Sequence, residues 1–115
     1  MYMNLPGIAG GLQERIRSDV VTVGTTTTIV SSVRNTAPKR RVITIRNTSD
    51  DASKVITVSQ GNNPAINNAG IVLRQYESFT DSQDGSADQG GYDAYQGQFN
   101  AICAVAGGQL SIFER

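Results

Sequence analysis

The chain has no histidine, no tryptophan and a single cysteine, Cys103, in 115 residues. Without histidine, the Ser-His-Asp and Cys-His arrangements and the commonest general base are excluded. One cysteine forbids an intrachain disulfide and any Cys/His zinc pattern. Cys103 lies in the apolar run "AICAVA", where a thiol behaves as a small buried hydrophobe. No apolar stretch is long enough to span a bilayer, and "MYMNLPGIAGGLQERIR" lacks the basic and continuous apolar regions of a secretory leader. Aromatics are sparse, at four tyrosines and three phenylalanines. None interleaves with the basic cluster Lys39, Arg40, Arg41, so the stacking platform of a single-strand nucleic-acid binder is missing and phosphate contact alone would remain. The glycines of "GIAGG" match neither a Walker loop nor GxGxxG, and no strand precedes them.

What is present is a single-domain length and an apolar fraction of 38%, with 12 glycines. A chain this size buries roughly two-thirds of its unfolded surface and can hold a core without metal or disulfide. Net charge is zero, but it is divided. Residues 1–46 carry seven cationic and two anionic groups, a balance of +5; residues 47–115 carry three and eight, a balance of −5. That asymmetry suits head-to-tail packing between copies or a chain lying on an oppositely charged surface.

From Ser18 onward, segments rich in Val, Ile and Thr alternate with Gly/Asn/Asp/Ser turns. "DVVTVG", "TTTTIVSSV", "RRVITIRN", "KVITVSQ", "IVLRQYESFTD" (one bent strand or two short ones), "QGQFNAICAVAG" and "QLSIFER" give about eight strands. Ile43 and Ile45 share one face of the third, and Leu110, Ile112 and Glu114 one face of the last. "TSDDAS" supplies turn chemistry, and predicts an antiparallel pair between "RRVITIRN" and "KVITVSQ". With no crossover helices for parallel units, the expected class is all-β: an antiparallel β-sandwich over residues 19–115, with a jelly roll as one version. Residues 1–18 form an N-terminal arm in which Leu5, Ile8, Leu12 and Ile16 recur at three-to-four spacing. Pro6, Gly7, Gly10 and Gly11 interrupt the stripe, which admits a short helix over 11–17 or an extended arm. A stripe of this kind calls for a covering surface, and in a small β protein that is often another chain.

The stretch "DSQDGSADQGGYDAYQ" carries Asp81, Asp84, Asp88 and Asp93 and no cation. Their spacing of three, four and five, with no closing Glu, does not fit a calcium loop, so no metal or other cofactor is expected. Glu77, Asp81 and Asp84 are carboxylates of the type glycoside hydrolysis uses, but a sandwich this small seldom holds both a core and a cleft. The chain is therefore not expected to be an enzyme. Tyr92 and Tyr95, near the exit of the loop, are its better contact residues, because aromatics anchor interfaces. "GNNPAINNAG" could offer amides to a carbohydrate, although turn chemistry accounts for it.

Residues 40–115 resemble small β-rich structural proteins of tailed-phage virions. The resemblance rests on Arg41, Asn47 and Ser49 around a basic strand, on Gly70, Ile71, Leu73 and Phe79, on Ala101 to Ala104, and on Leu110 to Glu114. The acidic loop and the arm depart from the pattern. The resemblance implies a virion component, a capsid decoration or cement protein that bridges capsid subunits, with the major capsid protein or other virion proteins as partners, in a homo-oligomer. Its contacts are expected at Leu5, Ile8, Leu12, Ile16, Lys39, Arg40, Arg41, Tyr92 and Tyr95. The other role considered is a spike, fibre or penton component that binds a host-surface glycan through the Asn- and Asp-rich loops.

Overall fold

A computed structural model describes residues 16–34, 36–83 and 93–115. Among them are eight strands: β1 (Arg17–Val23), β2 (Thr28–Ser31), β3 (Val42–Asn47), β4 (Ile56–Gln60), β5 (Ile71–Leu73), β6 (Ser78–Ser82), β7 (Phe99–Cys103) and β8 (Gly108–Glu114). They form two four-stranded sheets, ordered β1-β8-β3-β6 and β2-β7-β4-β5, and every neighbouring pair is antiparallel. The expected all-β sandwich is the observed one, and its strand order is that of a jelly roll. β1 begins at Arg17, so Arg17 and Ser18, grouped with the arm by sequence, belong to the sheet. Leu5, Ile8 and Leu12 lie outside the described residues.

The core follows from the alternation. Val23, Ile43, Ile45, Leu110 and Ile112 from the first sheet meet Val30, Ile56, Val58, Phe99, Ala101 and Cys103 from the second, all buried. The predicted β3–β4 hairpin does not form. β3 lies between β8 and β6, whereas β4 lies between β7 and β5 in the other sheet. Both strands have a valid inward face, so periodicity could not tell lateral neighbours from partners across the core. The eight residues between them are long enough to cross the ~10 Å that separates packed sheets.

Asn47 fixes that crossing. It is fully buried at the end of β3. Its Nδ2 donates to the carbonyls of Lys54 (2.8 Å) and Leu73 (2.9 Å), and its Oδ1 accepts the Ser49 amide at 3.0 Å. One amide side chain thus holds the exit of β3, the entry of β4 and the end of β5 together.

Only the β4–β5 connection joins neighbours in one sheet. Residues 61–70 fold back over the outer face of that sheet. The outward Thr57 and Asn100 are buried beneath them. Thr57 Oγ1 accepts the Asn68 amide at 2.9 Å, and Asn100 Nδ2 donates to Gly61 O and Asn63 O at 2.8 and 2.9 Å. Gly70 closes the loop at φ 145°, where a Cβ would stand 2.8 Å from the Val58 carbonyl oxygen.

Replacing Asn47 by Ala strands three backbone groups, two buried and one partly so. At roughly 1–3 kcal/mol for each unpaired group, we expect a loss of about 3 kcal/mol or more. Urea unfolding measures it; a change under 1 kcal/mol would show that these bonds do not hold the crossing.

Candidate functional site

Arg40 is the largest fully buried side chain among the described residues. It was expected at a basic contact edge, and the fold corrects that: a residue with no exposed surface cannot meet a partner. A guanidinium offers five N–H donors, and each has an acceptor. Nε donates to Glu114 Oε1 (2.9 Å), Nη1 to the carbonyls of Tyr95 (2.6 Å) and Gly97 (3.1 Å), and Nη2 to Ser31 Oγ (2.8 Å) and the Ser32 carbonyl (3.0 Å). The guanidinium carbon lies 5.4 Å from the centroid of the Phe99 ring. Gln96 grips the Arg40 backbone from both sides, through its Oε1 and its Nε2, each at 2.6 Å.

Glu114 is the counter-charge, on the inward alternation of β8. Its Oε1 accepts from Arg40 and from Arg34 Nη2 (3.1 Å), and its Oε2 accepts from Arg17 Nη1 and Ser31 Oγ (2.9 Å each). Burial pushes this carboxyl up. The hydrogen bonds of Arg40, Arg17 and Ser31, with the charge of Arg40, outweigh burial and hold it below the ordinary carboxylate range. Arg17, Ser31, Ser32, Val33, Arg34 and Glu114 line a cleft of about 270 Å³ beside this cluster. That is just under the ~300–1,000 Å³ of usual small-molecule sites, and the guanidiniums of Arg17 and Arg34 that line it already hold Glu114. The cluster is a structural lock.

Lys39 is exposed and pairs with Asp93 at 2.6 Å. Arg41 is also exposed, and its amide donates to the Arg115 carbonyl at 2.6 Å. Tyr95 is half-buried, and its ring meets Phe99 edge-on, with centroids 5.2 Å apart. Its amide donates to Asp81 Oδ2 at 2.8 Å. Tyr95 therefore pins the exit of the acidic loop to the core with part of its surface still exposed. Tyr92, Asp84 and Asp88 lie outside the described residues. Among the described residues, no three His, Cys, Asp or Glu side chains are placed to hold a metal ion.

The remaining surface is the outer face of the first sheet, which sequence alone did not single out. The register puts Ser18, Val20 and Thr22 of β1, Gln109, Ser111 and Phe113 of β8, Val42, Thr44 and Arg46 of β3, and Ser78, Thr80 and Ser82 of β6 on one side. Arg46 is the only charged residue among them. Val20 is 59% exposed and Phe113 39%, and Ile16, just before β1, is 63% exposed. Depletion of charge with an aromatic at the centre is the composition of an interface core. Unlike the second sheet, this face has none of residues 61–70 folded over it. Comparison with family models, curated proteins and solved structures returned no match.

Removing one partner of a buried ion pair leaves the other uncompensated, at about 3–5 kcal/mol. Glu114→Gln should lose that much in denaturant unfolding. The acid response gives a second measure. With its folded pKa below its unfolded one, Glu114 contributes stability that is present above the unfolded carboxylate value of about 4.3 and is lost as pH falls through the folded value. The wild-type protein should therefore lose stability more steeply below about pH 4.5 than Glu114→Gln. Parallel curves would exclude the carboxylate as the cause.

Proposed function

We propose that the chain is a virion structural protein of the capsid-decoration or cement type, which bridges neighbouring subunits and performs no chemistry. The observation that carries this reading is the nearly uncharged outer face of the β1-β8-β3-β6 sheet, on which, among the described residues, Val20 and Phe113 are exposed with Ile16 beside them. Burying hydroxyls and apolar groups avoids the desolvation cost of charge, so the face suits a protein partner. The jelly-roll wiring is compatible, because this architecture recurs in viral capsid domains; fold alone assigns no function. The phage-protein resemblance of residues 40–115 supplies the class of partner, the major capsid protein or another virion component. Lys39 and Arg41, on the exposed basic edge, and the segment carrying Leu5, Ile8 and Leu12 would add contacts.

A second reading draws on the same architecture, which also recurs in lectins. The loop 61–70 presents Asn62, Asn63 and Asn67 exposed at one side of the molecule, where a host-surface glycan could bind their amides. A glycan array tests it directly. Binding that persists without residues 84–92 would assign it to the Asn-rich loop.

Capsids carrying the chain should disrupt at a higher temperature than capsids without it; equal midpoints would end the decoration reading. Phe113→Asp should weaken capsid binding by about 30-fold, the equivalent of the roughly 2 kcal/mol of a central aromatic anchor. A binding titration reads this out, with circular dichroism to verify the fold.

A further inference from the structure

Two sheets of four strands leave four edges: β1 and β6 on one, β2 and β5 on the other. Three are short or interrupted. β5 has three residues, β2 has four with a register shift between Ile29 and Ser31, and β6 has five. β1 is different: seven residues, in unbroken register with β8. A long regular edge is a template for another strand. The Val20 amide is taken by Asp19 Oδ1 at 2.8 Å. By the alternation of the antiparallel ladder, Ser18 and Thr22 turn their N–H and C=O groups to the same side as Val20, which no described strand pairs.

We infer that β1 pairs with β1 of a second copy, antiparallel and two-fold symmetric about Ser18. Charge selects this register. Arg17 and Asp19 flank Ser18 on the inward side, with side chains 33% and 54% exposed and 3.3 Å apart within one chain. Centring on Ser18 sets Arg17 opposite the partner subunit's Asp19, and Asp19 opposite the partner subunit's Arg17. These fall at non-hydrogen-bonded positions, where side chains approach most closely. The same register sets Ile16 opposite the partner subunit's Val20, and the two most exposed apolar groups of the edge cover each other. Centring on Val20 instead would set Arg17 against Val23 and Asp19 against Val21, so each charge would face an apolar group across the seam and keep only its partners within the chain. The product is one eight-stranded sheet, β6-β3-β8-β1-β1-β8-β3-β6, that doubles the nearly uncharged outer face. It is the isologous contact of a C2 dimer. This deepens the structural role proposed above by naming a second copy as a partner, and rests on that role for its purpose.

Ser18→Cys tests the register. Opposed hydrogen-bonded residues have Cα atoms ~5.5 Å apart, inside the range a disulfide spans, and the native Cys103 is fully buried. Under mild oxidation Ser18→Cys should give a covalent dimer on a non-reducing gel, at least about tenfold faster than Val20→Cys or Thr22→Cys on the same face. Adding Asp19→Lys, which sets a cation opposite Arg17, should slow the cross-link by a similar factor at low salt, with circular dichroism verifying the fold. A Ser18→Cys chain that stays monomeric, faster cross-linking at Val20, or indifference to Asp19→Lys would each overturn the proposal. None of these outcomes bears on capsid stability. A cross-linked dimer that fails to protect capsids would remove the decoration role and leave the dimer standing.

Discussion

The pairing of Arg40 with Glu114 is the constraint on which the open end of the sandwich depends. Hydrophobic burial brings the two sheets together, but it is non-directional and tolerates sliding. A guanidinium with five donors in a fixed fork is not tolerant. Its acceptors come from the end of β2, the residues just beyond it, the segment entering β7 and the end of β8. Each would be left with a buried polar group unmatched if the sheets shifted. Such a cluster adds less net stability than its bond count suggests, because two charges have lost their hydration. Its greater effect is to penalise every alternative arrangement of those four segments.

The two sheets solve the problem of their outer faces differently. The β2-β7-β4-β5 sheet is covered from within: Thr57 and Asn100 point outward and hold residues 61–70 over them. The β1-β8-β3-β6 sheet carries hydroxyls, Val20 and Phe113 outward without such a cover. A chain with a modest apolar fraction has thus spent its Asn-rich loop on one face, and none of that loop lies over the other. The same asymmetry gives the acidic loop a different role from the one its aspartates suggest. Asp81 and Asp93, at its two ends, are occupied in holding Tyr95 and Lys39.

Much of this was legible in the sequence, and the failures are instructive. The strand segments, the inward faces of β3 and β8 and the loop at 61–70 follow from alternation and turn residues. The lateral partner of β3 does not, because alternation reports a face and not a neighbour. Arg40 was read as a surface cation because charge is usually solvated. The contrary signal was nonetheless present: Glu114 shares the inward face of Leu110 and Ile112, and an inward carboxylate requires an inward cation. Its position near the basic cluster could not be read until the fold brought the start of β3 to the end of β8. The outer face of the first sheet escaped notice for a related reason. Its members come from four separated segments, none conspicuous alone.

Among the described strands the β4–β5 hairpin is the one local pairing, and loop-closure entropy favours an order of assembly that starts from it. From it the chain zips outward as β3·β6, then β2·β7, then β1·β8, each closing a longer loop than the last. Loop-closure entropy makes the outermost pair the slowest to gain from its contacts. Glu114 sits at the end of that last pair, so its ion pair with Arg40 is expected to close after the transition state. Interactions formed that late slow unfolding without speeding folding. The buried charges would then act as a latch on the finished molecule, setting how long it persists once built rather than how readily it forms.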